Sequence, residues 1–278
     1  MKTLIASPEG RVPDMTDELS ARIDASVPHS ARVWNYWLGG KDNFEIDRTV
    51  GEQALRAAPG LREVARAARA HLVRAVAYLA AEEGIRQFLD VGTGLPTADN
   101  THEVAQRVAP DSRVVYVDND PLVLAHARAL LTSTPEGVTT YIDADATDTA
   151  RILGEAGEVL DLSRPVALIL AGILGHFRDD GEALALVRGL LDPLPSGSFL
   201  VVNDGTNVVR AKEFSQAEEV YNERAESPFH LRTPGEIGRF FDGLELVEPG
   251  LVSAPFWRPE PGAEPVELDV FGAVGRKP

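Results

Sequence analysis

The chain has 278 residues, of which 44% are hydrophobic and 25% charged, a composition that indicates a folded globular protein and not a disordered one. Its formal net charge of −16 makes nucleic acids and anionic membrane surfaces poor partners and favours a neutral or cationic small molecule. The absence of cysteine excludes disulfides, thiolate catalysis and cysteine-bound metal, and the six histidines are too scattered to predict another metal site.

The sequence also lacks recognisable targeting signals. The N-terminus has no apolar run of the length that a signal peptide needs. The longest apolar run, Val166–Leu174, is about half as long as a membrane-spanning helix requires. We therefore expect a soluble, cytoplasmic protein that contacts no membrane.

The first 84 residues divide into two predicted segments. Residues 1–28 carry prolines and scattered charges with weak periodicity, which predicts a flexible N-terminal arm. Residues 29–84 predict a helical cap, because apolar residues recur at three- and four-residue steps between Pro59-Gly60 and Leu79. The arginines of this helix are expected on its solvated side: Arg62, Arg66, Arg69 and Arg74.

An aromatic cluster precedes the glycine pair Gly39-Gly40 within the cap. Its rings either pack on the core or form a lid over a ligand, and the two interpretations have about equal weight. The lid interpretation predicts contacts with the ligand or substrate from these residues: Trp34, Tyr36, Trp37, Lys41, Asp42 and Asn43.

An apolar strand that ends in a glycine turn organises the remaining sequence. Residues 87–97 read Gln-Phe-Leu-Asp-Val-Gly-Thr-Gly-Leu-Pro-Thr, in which Gly92 and Gly94 permit close approach of a ligand to the main chain. A second strand ends at Asp118, 28 residues after Asp90. A strand, a glycine turn, a helix and a second strand ending in an acid are typical of nucleoside-binding βαβ units, where the second acid binds the ribose.

The details of this turn restrict the ligand. Thr97 stands where a dinucleotide-binding turn has its third glycine, which argues against a nicotinamide-dependent oxidoreductase. Asp90 would repel a phosphate but could pair with an ammonium group. These features favour a cationic nucleoside without phosphates, of which S-adenosyl-L-methionine is the common example.

Three stretches of sequence carry a resemblance to a known family. Residues 90–94 (Asp-Val-Gly-Thr-Gly) and 117–121 (Val-Asp-Asn-Asp-Pro) resemble motifs of the class I, Rossmann-like S-adenosylmethionine-dependent methyltransferases. Residues 31–44 and 88–97 are similar to a bacterial S-adenosyl methyltransferase family first catalogued as a domain of unknown function. The resemblance extends from about residue 30 to the end of the chain.

The resemblance implies a fold and a set of cofactor contacts. Residues 85–278 are expected to form a doubly wound α/β domain with a mostly parallel, seven-stranded sheet whose last strand is antiparallel. An acid after the third strand is expected to accept a hydrogen bond from the adenine amino group, although a solvated acidic turn is an alternative for it. The implied contacts are Asp90, Gly92, Thr93, Gly94, Asp118, Asn119, Asp145, Ala146 and Ala171.

The last predicted elements complete the sheet and supply a candidate base. Strands are expected over residues 138–142, 166–171, 199–202, 244–252 and 266–274. His176 follows the fourth strand, where it would face the reactive end of the cofactor as a general base. A packed or solvent-exposed histidine is an equal alternative.

Three functions fit these patterns, in decreasing order of support. They are methyl transfer to a small-molecule acceptor, non-catalytic binding of S-adenosylmethionine or a similar nucleoside by a sensor or accessory protein, and nicotinamide-dependent oxidoreduction. The sequence determines neither the acceptor nor the oligomeric state.

Overall fold

A computed structural model describes residues 23–130 and 132–278, so most of the predicted arm lies outside the described residues. The helices are α1 (Ser30–Leu38), α2 (Glu45–Ala57), α3 (Leu61–Ala81), α4 (Thr101–Val108), α5 (Pro121–Leu130), α6 (Thr149–Ala156), α7 (Asp180–Leu191), α8 (Ala211–Asn222) and α9 (Pro234–Gly238). Short 3₁₀ helices cover Leu174–His176, Arg239–Phe241 and Ala254–Phe256. The strands are β1 (Gln87–Val91), β2 (Arg113–Asp118), β3 (Val138–Asp143), β4 (Ala167–Ala171), β5 (Phe199–Gly205), β6 (Glu245–Leu246), β7 (Val252–Ser253) and β8 (Val270–Arg276).

Within the described residues, the strands form one eight-stranded sheet in the order β3-β2-β1-β4-β5-β8-β6, with β7 paired to β8 outside that path. Strands β1 to β5 are parallel, and β8 is antiparallel to β5. The strand order reverses between β1 and β4, which is the switch point of a doubly wound sheet. The predicted α/β fold with an antiparallel last strand is therefore confirmed.

The number and bounds of the last strands differ from the prediction. The strand expected over residues 244–252 is split into β6 and β7, because Gly250 has a left-handed φ of 84° and its N–H donates to the Val247 carbonyl at 2.8 Å. The sheet consequently has eight strands instead of seven. The last strand begins at Val270 and not at residue 266, since Pro265 supplies no main-chain donor and Val266 is 70% exposed.

Helices cover both faces of the sheet. In β1, Phe88 packs with α3 and α4 on one face, and Leu89 packs with α6 and α7 on the other. Strand β1 is therefore buried along its whole length, as its continuous apolar run predicts. In the part of the chain that is described, no helix is both long and apolar enough to cross a bilayer.

A third apolar cluster joins the cap to the C-terminal part of the chain. Val33 and Trp37 of α1 pack with Phe214 and Tyr221 of α8. Trp37 is only 8% exposed, and its indole N–H donates to the Gly51 carbonyl at 3.1 Å. Trp37 thus packs on the core, and the lid interpretation of the aromatic block stays a prediction.

Helix α3 connects this cap cluster with the sheet. Val64 in its N-terminal half belongs to the cap cluster, and Leu79 in its C-terminal half packs under the sheet. Arg69 and Arg74 are not on a solvated side as predicted, because their guanidinium groups donate to loop carbonyls at 2.7 and 2.8 Å. The domain boundary after residue 84 stays a prediction.

Candidate functional site

A cavity of about 620 Å³ opens at the carboxyl ends of β1, β2, β4 and β5. Doubly wound sheets bind ligands at this edge, because the connections after the strands on either side of the switch point diverge there. Residues from α1, α3 and α8 line the cavity as well. Its volume lies within the range of small-molecule sites in proteins.

The turn after β1 presents bare main chain to this cavity. Gly92 and Gly94 both have left-handed φ angles, of 74° and 67°. A Cβ atom on Gly92 would lie 2.3 Å from Ile173 Cδ1, whereas one on Gly94 would meet no atom within 4 Å. Thr93, between them, also lines the cavity, and its hydroxyl donates to the main-chain carbonyl of Asp90 at 3.0 Å. The open space beside this turn fits a flat ligand.

Asp118 connects the turn to the end of β2. Its Oδ2 accepts from Gly94 N at 2.8 Å, and its Oδ1 accepts from Asp120 N at 3.0 Å. Burial raises the pKa of the Asp118 carboxyl, and these two hydrogen bonds partly oppose that effect. Each oxygen keeps a second lone pair that can accept from a ribose hydroxyl.

The predicted adenine-binding residues lie beside β3, also at the cavity. Asp145 Oδ1 accepts from Thr147 N at 2.9 Å and from the Thr147 hydroxyl at 2.6 Å, and these hydrogen bonds lower the pKa of Asp145. Asn119 Nδ2 lies 3.5 Å from Asp145 Oδ2. Asn119, Asp145 and Ala146 line the cavity together. The carboxylate of Asp145 therefore lies in an acidic turn, as the alternative interpretation expects. It also lines the cavity in which the adenine is predicted to bind.

Ala171, the last residue of β4, and His176, which follows the strand, also line the cavity. His176 Nδ1 lies 3.0 Å from the Pro228 carbonyl and 3.1 Å from the Ser227 hydroxyl. A carbonyl can only accept, so Nδ1 carries the proton in the neutral ring and Nε2 keeps a lone pair. Burial lowers the pKa of His176, which favours this neutral form.

Asp90 does not line the cavity, although the sequence predicts that it pairs with the ligand. Its side chain is 4% exposed, and Oδ2 accepts from the Thr101 hydroxyl at 2.6 Å at the start of α4. Burial raises the pKa of Asp90 to about 6. The Asp90 side chain therefore joins β1 to α4, and a contact between Asp90 and the cofactor stays a prediction.

The predicted lid residues separate into two groups. Trp34 and Trp37, three positions apart on α1, line the cavity. Tyr36 does not line the cavity, and its hydroxyl donates to Glu52 Oε1 of α2 at 3.1 Å. The helical period explains this separation. Trp34 and Trp37 are three positions apart and share a face of α1, whereas Tyr36, one position before Trp37, does not lie on that face.

The remaining lid residues lie away from the cavity, so their contact with a ligand stays a prediction. Helix α1 ends at Gly39, whose left-handed φ of 86° turns the chain before Lys41, Asp42 and Asn43. Asn43 Nδ2 donates to Asn35 Oδ1 at 2.8 Å, and Lys41 and Asp42 are exposed. None of the three lines the cavity.

His29 is a cavity residue that the sequence analysis missed. Its Nδ1 lies 2.9 Å from Asp120 Oδ2 and so joins the start of α1 to the loop after β2. Burial opposes protonation of His29, but the hydrogen bond and charge of Asp120, with the charge of Asp118, outweigh it and raise its pKa. No local pattern marks this pair, because its members are 91 positions apart.

The other missed cavity residues come from the C-terminal half of the chain. Two aromatic residues and one acid of α8 line the cavity. The principal missed residues are Asn203, Asp204, Phe214, Glu218, Tyr221, Glu226, Phe229 and Asp269.

Comparisons with known proteins agree with this geometry. A family model described as S-adenosyl methyltransferase matches residues 16–278. No curated protein matches the sequence. A DUF574 family protein from Streptomyces avermitilis MA-4680 has 48% identity and a TM-score of 0.88, with 92% of this chain and 100% of that chain covered.

Two further solved structures are similar to this chain, one in sequence and fold and the other in fold alone. A protein from Thermobifida fusca YX with a methyltransferase assignment has 42% identity and a TM-score of 0.83, covering 91% of this chain and 96% of that chain. The plantazolicin methyltransferase BpumL, solved with S-adenosylhomocysteine, has 12% identity and a TM-score of 0.52 over 95% of this chain and 98% of that chain, which shows the fold alone.

The observations of this structure fit the cofactor of that family. A cationic adenosine derivative fits this cavity, because the turn at Gly94 has no side chain and the buried carboxylate of Asp118 adjoins it. The chain therefore belongs to the S-adenosyl methyltransferase family and is a methyltransferase of Rossmann-like fold whose methyl donor is S-adenosyl-L-methionine.

Proposed function

We propose that this enzyme transfers a methyl group to a small-molecule acceptor that binds between α1, α8 and the loop of residues 226–231. The observation that carries the proposal is the continuity of the cavity, which extends from the glycine turn to this second wall. One end has main-chain and carboxylate groups suited to a nucleoside. The other has aromatic side chains suited to a compact organic molecule.

The proposed cofactor contacts are those that line the first end. Gly92, Thr93 and Gly94 would pack against the ligand, and Asp118 would accept from its ribose hydroxyls. Asn119, Asp145, Ala146 and Ala171 would surround the adenine and the neighbouring ring. S-adenosylmethionine supplies a methyl group that is already activated by the positive sulfur.

The chain's own contribution would be mainly alignment. Holding an acceptor in line at near-attack distance can supply on the order of 7 kcal/mol or more of the barrier. His176 is the proposed base, because its Nδ1–H is held by the Pro228 carbonyl and Nε2 is left as a proton acceptor in the neutral ring. His176 would then take the proton that the acceptor loses.

Two measurements test this proposal in sequence. Isothermal titration calorimetry with S-adenosylhomocysteine should show binding to the wild-type protein and loss of binding in Gly92→Val. Incubation with S-adenosylmethionine labelled in its methyl group, together with a bacterial extract, should place the label in the fraction below about 3 kDa. Label found only in protein or nucleic acid would contradict a small-molecule acceptor, and binding without any label transfer would favour a sensor.

A further inference from the structure

The second end of the cavity has a definable wall. We call the six residues from α1, α8 and the loop of residues 226–231 the acceptor wall: Trp34, Phe214, Glu218, Tyr221, Glu226 and Phe229. Trp34 and Trp37 meet edge to face with centroids 5.8 Å apart, and Trp37 lies 6.2 Å from Tyr221. Aromatic faces that adjoin a cavity attract both apolar groups and cations.

The charged side chains that line this cavity are mostly acidic. Among the described residues that line the cavity, none is lysine or arginine. The carboxylates near the wall are Asp204, Glu218, Glu226 and Asp269. An anionic acceptor would therefore meet repulsion and no countercharge, whereas a cationic acceptor would meet several acids.

These acids differ in their availability to a ligand. Asp269 is already satisfied, because its carboxylate accepts from Val209 N at 2.8 Å and from Arg210 N at 2.9 Å at the start of α8. Asp204 Oδ1 accepts from Gly205 N at 3.0 Å, but its fully buried Oδ2 has no hydrogen-bond partner among the described residues. The nearest cation to that oxygen, Arg232 Nη1, is 4.0 Å away. Burial raises the pKa of Asp204 to about 7, so this group is only partly charged near neutral pH.

Glu218 is the best-placed acid of the acceptor wall. Its Oε1 lies 3.1 Å from His230 Nδ1 and accepts from Leu231 N at 3.3 Å, which holds the carboxylate in one orientation. Its side chain is 20% exposed, and within the described residues Oε2 has no hydrogen-bond partner. A half-buried carboxylate that is held by one oxygen leaves the other for a ligand.

We infer that the methyl acceptor carries an ammonium group on an apolar or aromatic body, and that Glu218 binds this group within the aromatic acceptor wall. The inference rests on the proposed function of the same cavity. A charge-assisted hydrogen bond to Glu218 and cation–π contacts with the surrounding rings would act on the same group. A neutral acceptor of the same shape would leave the Oε2 atom without a partner, which costs free energy.

Calorimetry with matched probes tests the inference on protein saturated with S-adenosylhomocysteine. Each set of probes shares one ring system and differs only in the end group, as in tryptamine, tryptophol and indole-3-propionate, with a phenyl set of the same three types. We expect at least one amine to bind 10-fold or more tightly than its alcohol, and the carboxylates to bind more weakly than both. Equal binding of alcohol and amine in both sets, or preference for a carboxylate, overturns the inference.

Variants of two adjacent glutamates localise the effect. Glu218→Gln should reduce the preference for amine over alcohol to less than 3-fold, because it removes the charge and keeps the shape. Glu219→Gln removes the same charge from the next position of α8, which is exposed and does not line the cavity, and should keep the preference. An unchanged preference in Glu218→Gln would overturn the role of Glu218.

The affinity for S-adenosylhomocysteine distinguishes a failure of the proposed cofactor site from a failure of the inference about the acceptor. Failure of the wild-type protein to bind this product would contradict the proposed cofactor site. Normal binding of the product with no preference for amines would contradict only the inference about the acceptor. Asp204→Asn serves as a second variant, since it should also weaken amine binding while the affinity for S-adenosylhomocysteine stays within 3-fold of wild type.

Discussion

The two ends of the cavity are built in different ways. At the cofactor end, main-chain N–H groups of the glycine turn donate to the neighbouring strand, Gly92 N to the Val117 carbonyl at 2.9 Å and Gly94 N to the side-chain carboxylate of Asp118 at 2.8 Å. At the acceptor end, the wall consists of side chains from α1, α8 and the loop of residues 226–231. The cofactor end therefore depends on backbone conformation, and the acceptor end depends on which side chains are present.

This difference has a consequence for specificity. Main-chain groups are the same for every residue type, so the cofactor end can bind one constant ligand with few variable side chains. Side chains on helices and loops can change without disturbing the sheet, so the acceptor end can be adapted to a particular molecule. Variants should accordingly separate cofactor binding from acceptor binding.

The largest expected effect is at the glycine turn. Gly92→Val should weaken S-adenosylhomocysteine binding more than 100-fold, because valine at a φ of 74° is strained and its Cβ would lie 2.3 Å from Ile173 Cδ1. Calorimetry measures the affinity. Gly84→Ala is the matched control, since Gly84 has a φ of 68° with no atom within 4 Å of the added Cβ. If Gly84→Ala lost affinity to the same degree, the loss in Gly92→Val would come from backbone strain in general and not from the cofactor site.

A second prediction concerns the carboxylate at the end of β2. Asp118→Ala should weaken S-adenosylhomocysteine binding 10- to 100-fold, about 1.4 to 2.8 kcal/mol, because the ribose and the glycine turn both lose an acceptor. Asp111→Asn, an exposed acid before the start of β2, should leave the affinity unchanged in the same calorimetric measurement. Unchanged affinity in Asp118→Ala would remove this residue from the site.

The raised pKa of Asp118 adds a dependence on pH. Because burial raises the pKa of the Asp118 carboxyl, this group takes up its proton at a higher pH than an exposed aspartate does, and lowering the pH through that range should reduce the affinity for cationic S-adenosylmethionine. Calorimetry over this range measures the loss. Asp118→Asn, which has no titrating group there, should show a weaker dependence, and an identical pH profile in both proteins would contradict the assignment.

A smaller effect is expected where the cap is held by polar contacts. Asn35 is 3% exposed, and its Oδ1 accepts from Asp42 N at 3.1 Å and from Asn43 Nδ2 at 2.8 Å. Asn35→Ala should lower the free energy of unfolding by about 1 to 3 kcal/mol, measured by urea denaturation, and change S-adenosylhomocysteine affinity less than 3-fold. Tyr36→Phe, which removes an exposed hydrogen bond, should change stability by no more than about 0.5 kcal/mol. Equal destabilisation by the two variants would contradict this account.

The smallest predicted effect is the pH dependence of the contact between His29 and Asp120. The pKa of His29 is raised in the folded protein above 6.5, so its stabilising contribution is fully present below pH 6.5 and is lost as pH rises through the raised value. Asp120 and Asp118 favour the charged ring, and Arg32 opposes it. His29→Gln should therefore reduce the free energy of unfolding by about 1 kcal/mol or less at low pH, with a smaller difference at high pH.

Thermal unfolding of wild type and His29→Gln between pH 5.5 and 8.5 measures this difference. His126→Gln is the control, because His126 Nε2 lies 3.8 Å from Asp42 Oδ1 in a more exposed pair. A constant difference between wild type and His29→Gln over the whole range would contradict the role of His29 protonation.

Several features of the cofactor end could be predicted from sequence. The burial of β1, the turn at Gly92 and Gly94, and the acid at the end of β2 are local patterns of residue type and spacing, and the structure contains all of them. Asp90 shows the limit of this reasoning. Its position before the turn suggested a ligand contact, whereas its direction toward Thr101 depends on how α4 packs against β1.

The sequence by itself determined the parallel strands β1 to β5, the glycine turn and the family, because these depend on short-range patterns and on residues whose spacing is set by a strand or a helix. Only the tertiary structure decided which side chains form the acceptor wall and that His29 meets Asp120. Those contacts join segments up to about two hundred positions apart, and their formation depends on how helices pack across the sheet edge. No local periodicity encodes such packing, so the acceptor end could not be read from residue types alone.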